Sequence, residues 1–366
     1  MQLAKTLSAY IARQFFTWFC SAFGAMVSVA FLADYLELLR RGGTRAQATW
    51  GVLLEMAALQ LPQTAQKLMP FAILFGTMLA FWRLTRSNEL VVARGAGVSV
   101  WGFLTPALIV ALLIGIFAVT AFNPIAARMQ SGYVRLESRI LGTDSDPLAL
   151  SNTALWLRQS DGAGGQIIMR GEKMSAPARL ELRHVSLFFL SQRDAFAGRI
   201  EAKTAQLDHG FWVFENGQRF TPGRPPGWFA EWRLPTRLTT NKIEESLASP
   251  DTMSFWQLPG FISLLERSGF SAQRHRLHFE ALLARPLLFC AMVLVAATFS
   301  LRMQRAGGAV MLLVSGVAAG FLLYFLSDIV FALGLSARIP VVLAAWTPTG
   351  VSMIFGASML LHLEDG

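Results

Sequence analysis

The sequence predicts an α-helical integral membrane protein with six transmembrane helices and one inserted β domain. Two observations carry this. Three long apolar spans come first, a polar, β-like region at about 124–265 follows, and three more apolar spans close the chain. Of the 366 residues, 54% are hydrophobic and only 15% are charged, with a mean hydropathy of +0.45. That is a membrane composition. A span of roughly 20 apolar residues, rising ~1.5 Å each, crosses a ~30 Å hydrocarbon core.

Taken in order, helices are predicted at about 15–37, 51–82, 100–122, 280–301, 309–332 and 341–362. The first apolar run, Phe15 to Tyr35, is longer than a signal-peptide core and lacks an A-x-A site, so a retained helix is expected. The second is long for one bilayer, and Pro62 and Pro70 are expected to kink it. Between helices two and three lies a short charged loop, 83–97. There Ser87 can cap a short helix, Glu89 suits its positive end, and Gly95 or Gly97 can stop it. In the middle region Leu180-Glu181-Leu182-Arg183 alternates apolar and polar. Residues 210–220 read as a hairpin turning at Asn216-Gly217. Further strands are expected at 154–159, 166–170, 185–190, 199–207 and 228–234, which suggests a sandwich or roll. Residues 254–279 form an amphipathic connector, helical at 264–267 and stopped near Gly269.

The net charge of +9 is unevenly placed. Residues 124–265 hold 16 Lys/Arg against 14 Asp/Glu, while the rest of the chain holds 16 against 9. The basic excess therefore belongs to the membrane part. It favours anionic lipid over nucleic acid as a partner, or simply signals topology. With both termini in the cytoplasm, Lys5, Arg13, Arg83, Arg86, Arg94, Arg302 and Arg305 face inward and Arg40, Arg41, Arg45 and Arg338 outward. The 124–265 region is then outside the cytoplasm.

Chemistry is sparse. No Gly-Lys dipeptide occurs, so a Walker A loop is excluded. There is no H-E-x-x-H helix and no G-x-S-x-G elbow. The five histidines are scattered, and Cys20 and Cys290 lie inside apolar spans without metal-ligand spacing. No catalytic residue and no metal site is assigned.

At the end of helix one, Asp34, Glu37 and Arg41 share a helical face, with Arg40 beside it. Glu37 to Arg41 is the favourable i, i+4 order. Either these residues are interface anchors with a local ion pair, or Arg40, Arg41 and Arg45 pair with phosphates of an anionic lipid. Arginine's planar fork suits phosphate. Asp328 in helix five, with Glu55 and Lys67 in helix two, is ionisable at or near membrane depth, which marks a gating or substrate role or a helix-packing cap. Gly316 to Gly320 is a small-xxx-small motif.

The stretch from Arg86-Ser87-Asn88-Glu89-Leu90 to Arg94-Gly95-Ala96-Gly97 resembles the coupling segment of the LptF/LptG permeases. The resemblance extends to Asp34–Arg41 after helix one, to Leu61-Pro62 through Pro70, to Arg285-Pro286-Leu287 and to Tyr324–Asp328. The segments after helix one and in helix five are closer to the LptG branch. The resemblance implies a six-helix permease with an inserted periplasmic β-jellyroll domain. It implies a subunit of an ABC transporter that extracts lipopolysaccharide from the outer leaflet of the bacterial inner membrane and passes it toward the outer membrane. It further implies an LptF-like heterodimer partner, an LptB-like ATPase dimer that binds the ATP and Mg, and an LptC-like periplasmic bridge. No cofactor is expected in this chain. The domain layout expected is 1–123, with a cytoplasmic coupling helix at about 86–95, then 124–265, then 266–366. Arg86, Glu89, Leu90 and Arg94 are the coupling residues that the resemblance implies. A permease for another lipid or lipoprotein, or a membrane-embedded hydrolase using Asp34 and Asp328, are the alternatives.

Overall fold

The computed structural model describes residues 2–42, 48–95, 97–140, 155–160, 166–174, 181–190, 196–208, 210–223, 225–236, 249–267, 271–302 and 309–365. It divides into two compact units. Residues 1–133, 251–258 and 273–366 form one, and 134–250 with 259–272 form the other.

The first unit is a helix bundle. Its elements are α1 (Gln2–Gly42), α2 (Trp50–Arg86), α3 (Glu89–Gly95) and α4 (Val100–Phe117). A π-helical turn, Ala118–Phe122, carries α4 into α5 (Asn123–Ile140). After the insert come α7 (Gln273–Arg302), α8 (Ala309–Leu335) and α9 (Val341–Asp365), preceded in the second unit by α6 (Leu258–Arg267). Six stretches among the described residues are long and apolar enough to cross a membrane: Thr6–Gly42, Trp50–Arg86, Val100–Ser138, Gln273–Ser300, Val314–Leu335 and Val341–His362.

Several helices outrun their expected ends. Helix two starts at Trp50 and ends at Arg86, and both Pro62 and Pro70 lie inside it. At ~1.5 Å per residue it is about 55 Å long, well beyond the hydrocarbon thickness. Helix three continues through the π turn to Ile140 instead of ending near 122. Its last part is amphipathic and poor in long apolar runs, so hydropathy alone could not follow it.

Packing centres on α7. Every residue from Phe289 to Thr298 is buried, as expected of a helix apolar all round. Its Phe289 and Val293 join Phe15 of α1, Ile73, Leu74 and Phe81 of α2, and Phe103 and Leu104 of α4 in one core. Glycines allow the closest approaches. A Cβ on Gly76 would sit 2.7 Å from the Phe19 Cα, and one on Gly115 would sit 2.5 Å from the Pro286 Cα. Gly316 and Gly320 of α8 face Met78 and Leu74 of α2, so the small-residue motif serves a contact within the chain.

The second unit is built on six antiparallel strands in up-and-down order: β1 (Leu155–Ser160), β2 (Gln166–Met174), β3 (Glu181–Leu190), β4 (Phe196–Asp208), β5 (Phe211–Phe220) and β6 (Gly227–Pro235). Trp212, Phe214, Leu182, Leu187 and Ile200 fill its core face. One sequence expectation fails here. Asn216-Gly217 is not a turn but lies inside β5, and the β4–β5 connection falls where Asp208 pairs with Phe211. Asn216 does take the left-handed conformation that its type favours, at φ +50, but as an irregularity within a strand. A turn there would cost the pairs Glu201–Gln218, Ile200–Arg219 and Arg199–Phe220. The expected stop at Gly269 lies outside the described residues.

The glycine contacts can be tested by volume. Gly76→Ala should lower the melting temperature in detergent by several degrees, because over-packing costs about 1–3 kcal/mol. Gly24→Ala, where nothing lies within 4 Å, should not. Equal melting of the two variants by fluorescence-detected gel filtration would refute the close α1–α2 contact.

Candidate functional site

Two clusters of candidate residues lie at opposite ends of the α1–α2 pair. The first is built on α3. Ser87 ends α2, its backbone N–H donating to the Arg83 carbonyl at 2.9 Å. Asn88 follows with φ +60, and its carbonyl accepts from the Val92 N–H at 3.0 Å, opening the new helix. The expectation that Ser87 would cap α3 is thus corrected. Its Oγ lies 2.8 Å from Glu89 Oε1, 3.0 Å from the Arg83 carbonyl and 3.2 Å from the Leu84 carbonyl, one proton serving the three acceptors. The far end closes as a Schellman motif. Gly97 has φ +83 and the Val98 N–H reaches the Ala93 carbonyl at 3.1 Å.

Leu90 anchors α3. It is 3% exposed and belongs to the bundle core. Glu89 and Val92 face outward, and Val92 is 70% exposed. Glu89 sits in the first turn, where the helix dipole favours an acid. Arg86 is exposed, with its guanidinium carbon 5.4 Å from the Trp82 ring centroid. Arg94 lies within α3. The result is a seven-residue helix, pinned on one side and showing an acid and a bare valine on the other. Such a surface can dock a protein.

The second cluster is at the end of α1. Glu37 receives both arginines. Arg40 donates from Nε to Oε2 and from Nη2 to Oε1, each at 2.8 Å, and Arg41 donates from Nε to Oε1 at 2.7 Å. All three side chains are well exposed. The local ion pair is therefore real, and it holds two guanidinium groups side by side. Arg45 lies outside the described residues.

Asp34, three residues before Glu37, turns instead to α2 and accepts from the Thr64 hydroxyl at 3.1 Å. Asp328 lies on the exposed face of α8, between exposed Phe325 and Ile329. Among the described residues no interaction joins Asp34 to Asp328, and no group of His, Cys, Asp and Glu could hold a metal.

Sequence reasoning missed the polar ties across the bundle. Arg285 Nη1 donates to Gln66 Oε1 at 3.1 Å, and the Trp346 indole donates to Glu280 at 3.0 Å. Arg285 had been singled out only as part of a motif. Nothing in a linear sequence says that it meets a residue 219 positions away.

The family described as lipopolysaccharide export system permease LptF/LptG matches residues 9–362. The lipopolysaccharide export system permease protein LptG of Escherichia coli K12 is 23% identical over 379 residues, which cover 99% of each chain. The LptG protein of Haemophilus influenzae is 20% identical over 364 residues, covering 95% of this chain and 96% of that one.

Proposed function

The chain belongs to the LptF/LptG family of lipopolysaccharide export permeases, and from that premise we propose that it moves lipopolysaccharide from the outer leaflet of the inner membrane into its periplasmic domain. It is a multi-pass inner-membrane transport permease of an export system with partner subunits, not an enzyme. Extraction is uphill, because each CH₂ taken from the bilayer costs about 0.8 kcal/mol. The energy must reach the membrane helices from outside this chain, whose sequence has no nucleotide-binding loop.

The observation that carries this reading is α3. A short helix fixed to the bundle through Leu90 moves with α2 and α4, so a force on its outer face reaches the spans. We assign it to an LptB-like ATPase dimer, which binds ATP and Mg. An LptF-like permease completes the lipid path, and an LptC-like protein receives the cargo from the β domain. At the other end of α1, Arg40 and Arg41 meet the cargo's phosphates. Glu37 pre-positions them, and a phosphate displaces it. In this orientation α3 and both termini are cytoplasmic, and the sheet is periplasmic. The bias of Lys and Arg supports it.

Orientation is read by thiol labelling. Asn216→Cys should react with a membrane-impermeant reagent once the outer membrane is permeabilised, and Ser87→Cys should stay protected. The opposite pattern inverts the topology.

Glu89→Arg should abolish transport and weaken ATPase co-purification, with normal insertion. Growth on the variant, with full ATPase recovery, would remove Glu89 from the interface.

The double change Arg40→Glu, Arg41→Glu should lose photocrosslinking of lipopolysaccharide to α1 and stop transport. Lysine at both positions should be milder, since it keeps the charge without the fork. With membrane levels held equal, unchanged transport in the double Glu variant would leave the arginines as topology anchors.

A further inference from the structure

The ladder of the sheet is interrupted along one row. Across β3 and β4, Arg183 faces Thr204 and Val185 faces Ala202, which leaves His184 and Lys203 out of the ladder. Across β4 and β5, Thr204 faces Glu215 and Ala202 faces Gly217, which leaves Lys203 and Asn216 out. Across β5 and β6 the pair Asn216–Ala230 is missing too, so four neighbouring residues form one interrupted row. His184 and Asn216 both have left-handed backbones, at φ +49 and +50, a costly conformation outside glycine. The register is the same on both sides of this row, and the one shift beside it lies between β2 and β3, at Arg170/Glu172. The alternation of buried residues changes phase across the row, from Leu182 to Val185, from Ala202 to Ala205 and from Phe214 to Gly217, which marks a crease in the sheet.

A groove of 420 Å³ opens on this crease. Beside it Ser186, Glu201, Gln218 and Trp228 stand opposite one another on four successive strands. They therefore share a face, and it is the face away from the core, because the alternate residues Leu187 and Ile200 are buried. Trp228 is 78% exposed. Its indole face is open to a ligand.

The lining decides the ligand. Trp228 offers a flat apolar surface. Gln218 and Asn216 offer amides that both donate and accept, Glu201 accepts, and Lys203 donates. An acyl chain laid here would bury these polar groups without satisfying them. A sugar ring matches both halves: its C–H face stacks on the indole, and its hydroxyls meet the amides and charges. Among the described lining residues Glu201 is the single carboxylate, and Arg199 holds it at 3.3 Å. Glycoside cleavage by the common route needs a pair of carboxylates. The groove is built to hold a saccharide and not to cut it.

We propose that this creased outer face of the sheet is a saccharide subsite for the glycan part of the cargo, with Trp228 as its stacking platform. The inference rests on the lipopolysaccharide reading above. A transporter must release what it holds, and a shallow groove around one ring suits a dissociation constant of about 1 mM.

The test uses the full-length chain in detergent and glycan freed from lipopolysaccharide by mild acid, without its acyl chains. Saturation-transfer NMR should show contact with sugar ring protons. Trp228→Ala should weaken binding about tenfold, the value of one aromatic contact, and Trp228→Phe should restore part of it. Absence of transfer at about 10 mM glycan, or equal transfer in wild type and Trp228→Ala, would overturn the proposal. If Trp228→Ala lowers the melting temperature, Gln218→Ala and Lys203→Ala carry the comparison, and unchanged binding in both overturns it equally. Transport by the whole complex, followed with intact lipopolysaccharide, separates the two readings. Transport without glycan binding leaves the permease and removes the groove. Glycan binding without transport leaves the groove and removes the cargo assignment.

Discussion

Hydrocarbon offers no hydrogen-bond partner, and the architecture of the bundle follows from that. Each spanning segment must close its backbone bonds within itself, so each is a helix. The same demand reaches the side chains. Thr77 donates to the Ile73 carbonyl at 2.6 Å, Thr298 to Leu294 at 3.0 Å, Ser300 to Ala296 at 2.9 Å and Ser352 to Pro348 at 2.7 Å. Each hydroxyl turns back on its own helix one turn earlier. Other polar groups reach a neighbour: Asp34 with Thr64, Arg285 with Gln66, Glu280 with Trp346.

The Trp256 indole donates to the carbonyl of Thr120, within the π turn at 118–122, at 3.0 Å. Asn123 Oδ1, at the end of the same turn, accepts from the Phe255 N–H at 2.7 Å. Phe255 also stacks on Phe279 of α7, with ring centroids 5.3 Å apart, and His278 lies 3.5 Å from Asp251. The segment at 251–258 is thereby tied to two membrane helices.

Local rules read α3 well and the sheet less well. Glu89 in a first turn and Gly97 at a stop are choices made by nearest neighbours, and both stand in the structure. The role of Ser87 was misjudged because Asn88 supplies the opening carbonyl and the serine hydroxyl has three nearer acceptors. Asn216-Gly217 carries a strong short-range turn signal, yet the strand runs through it. The long pairings on both sides of β5, to β4 and to β6, outweigh a two-residue preference. The exposed Trp228 drew no notice in the sequence, because a tryptophan in an alternating strand reads equally well as core or surface.

By itself the sequence determined the number of spans, the place of the insert, the family and the short helix after α2. Each of these is written in runs of residues that are neighbours along the chain, and hydrophobicity, capping and spacing act at that range. Tertiary structure alone decided that α7 is the buried centre, that Glu37 gathers both arginines while Asp34 turns to Thr64, and that an interrupted row across the sheet carries a groove. Those outcomes depend on which side chains meet across helices and strands. Contacts between residues separated by tens or hundreds of positions are set by packing, and packing leaves no local mark in the order of the amino acids.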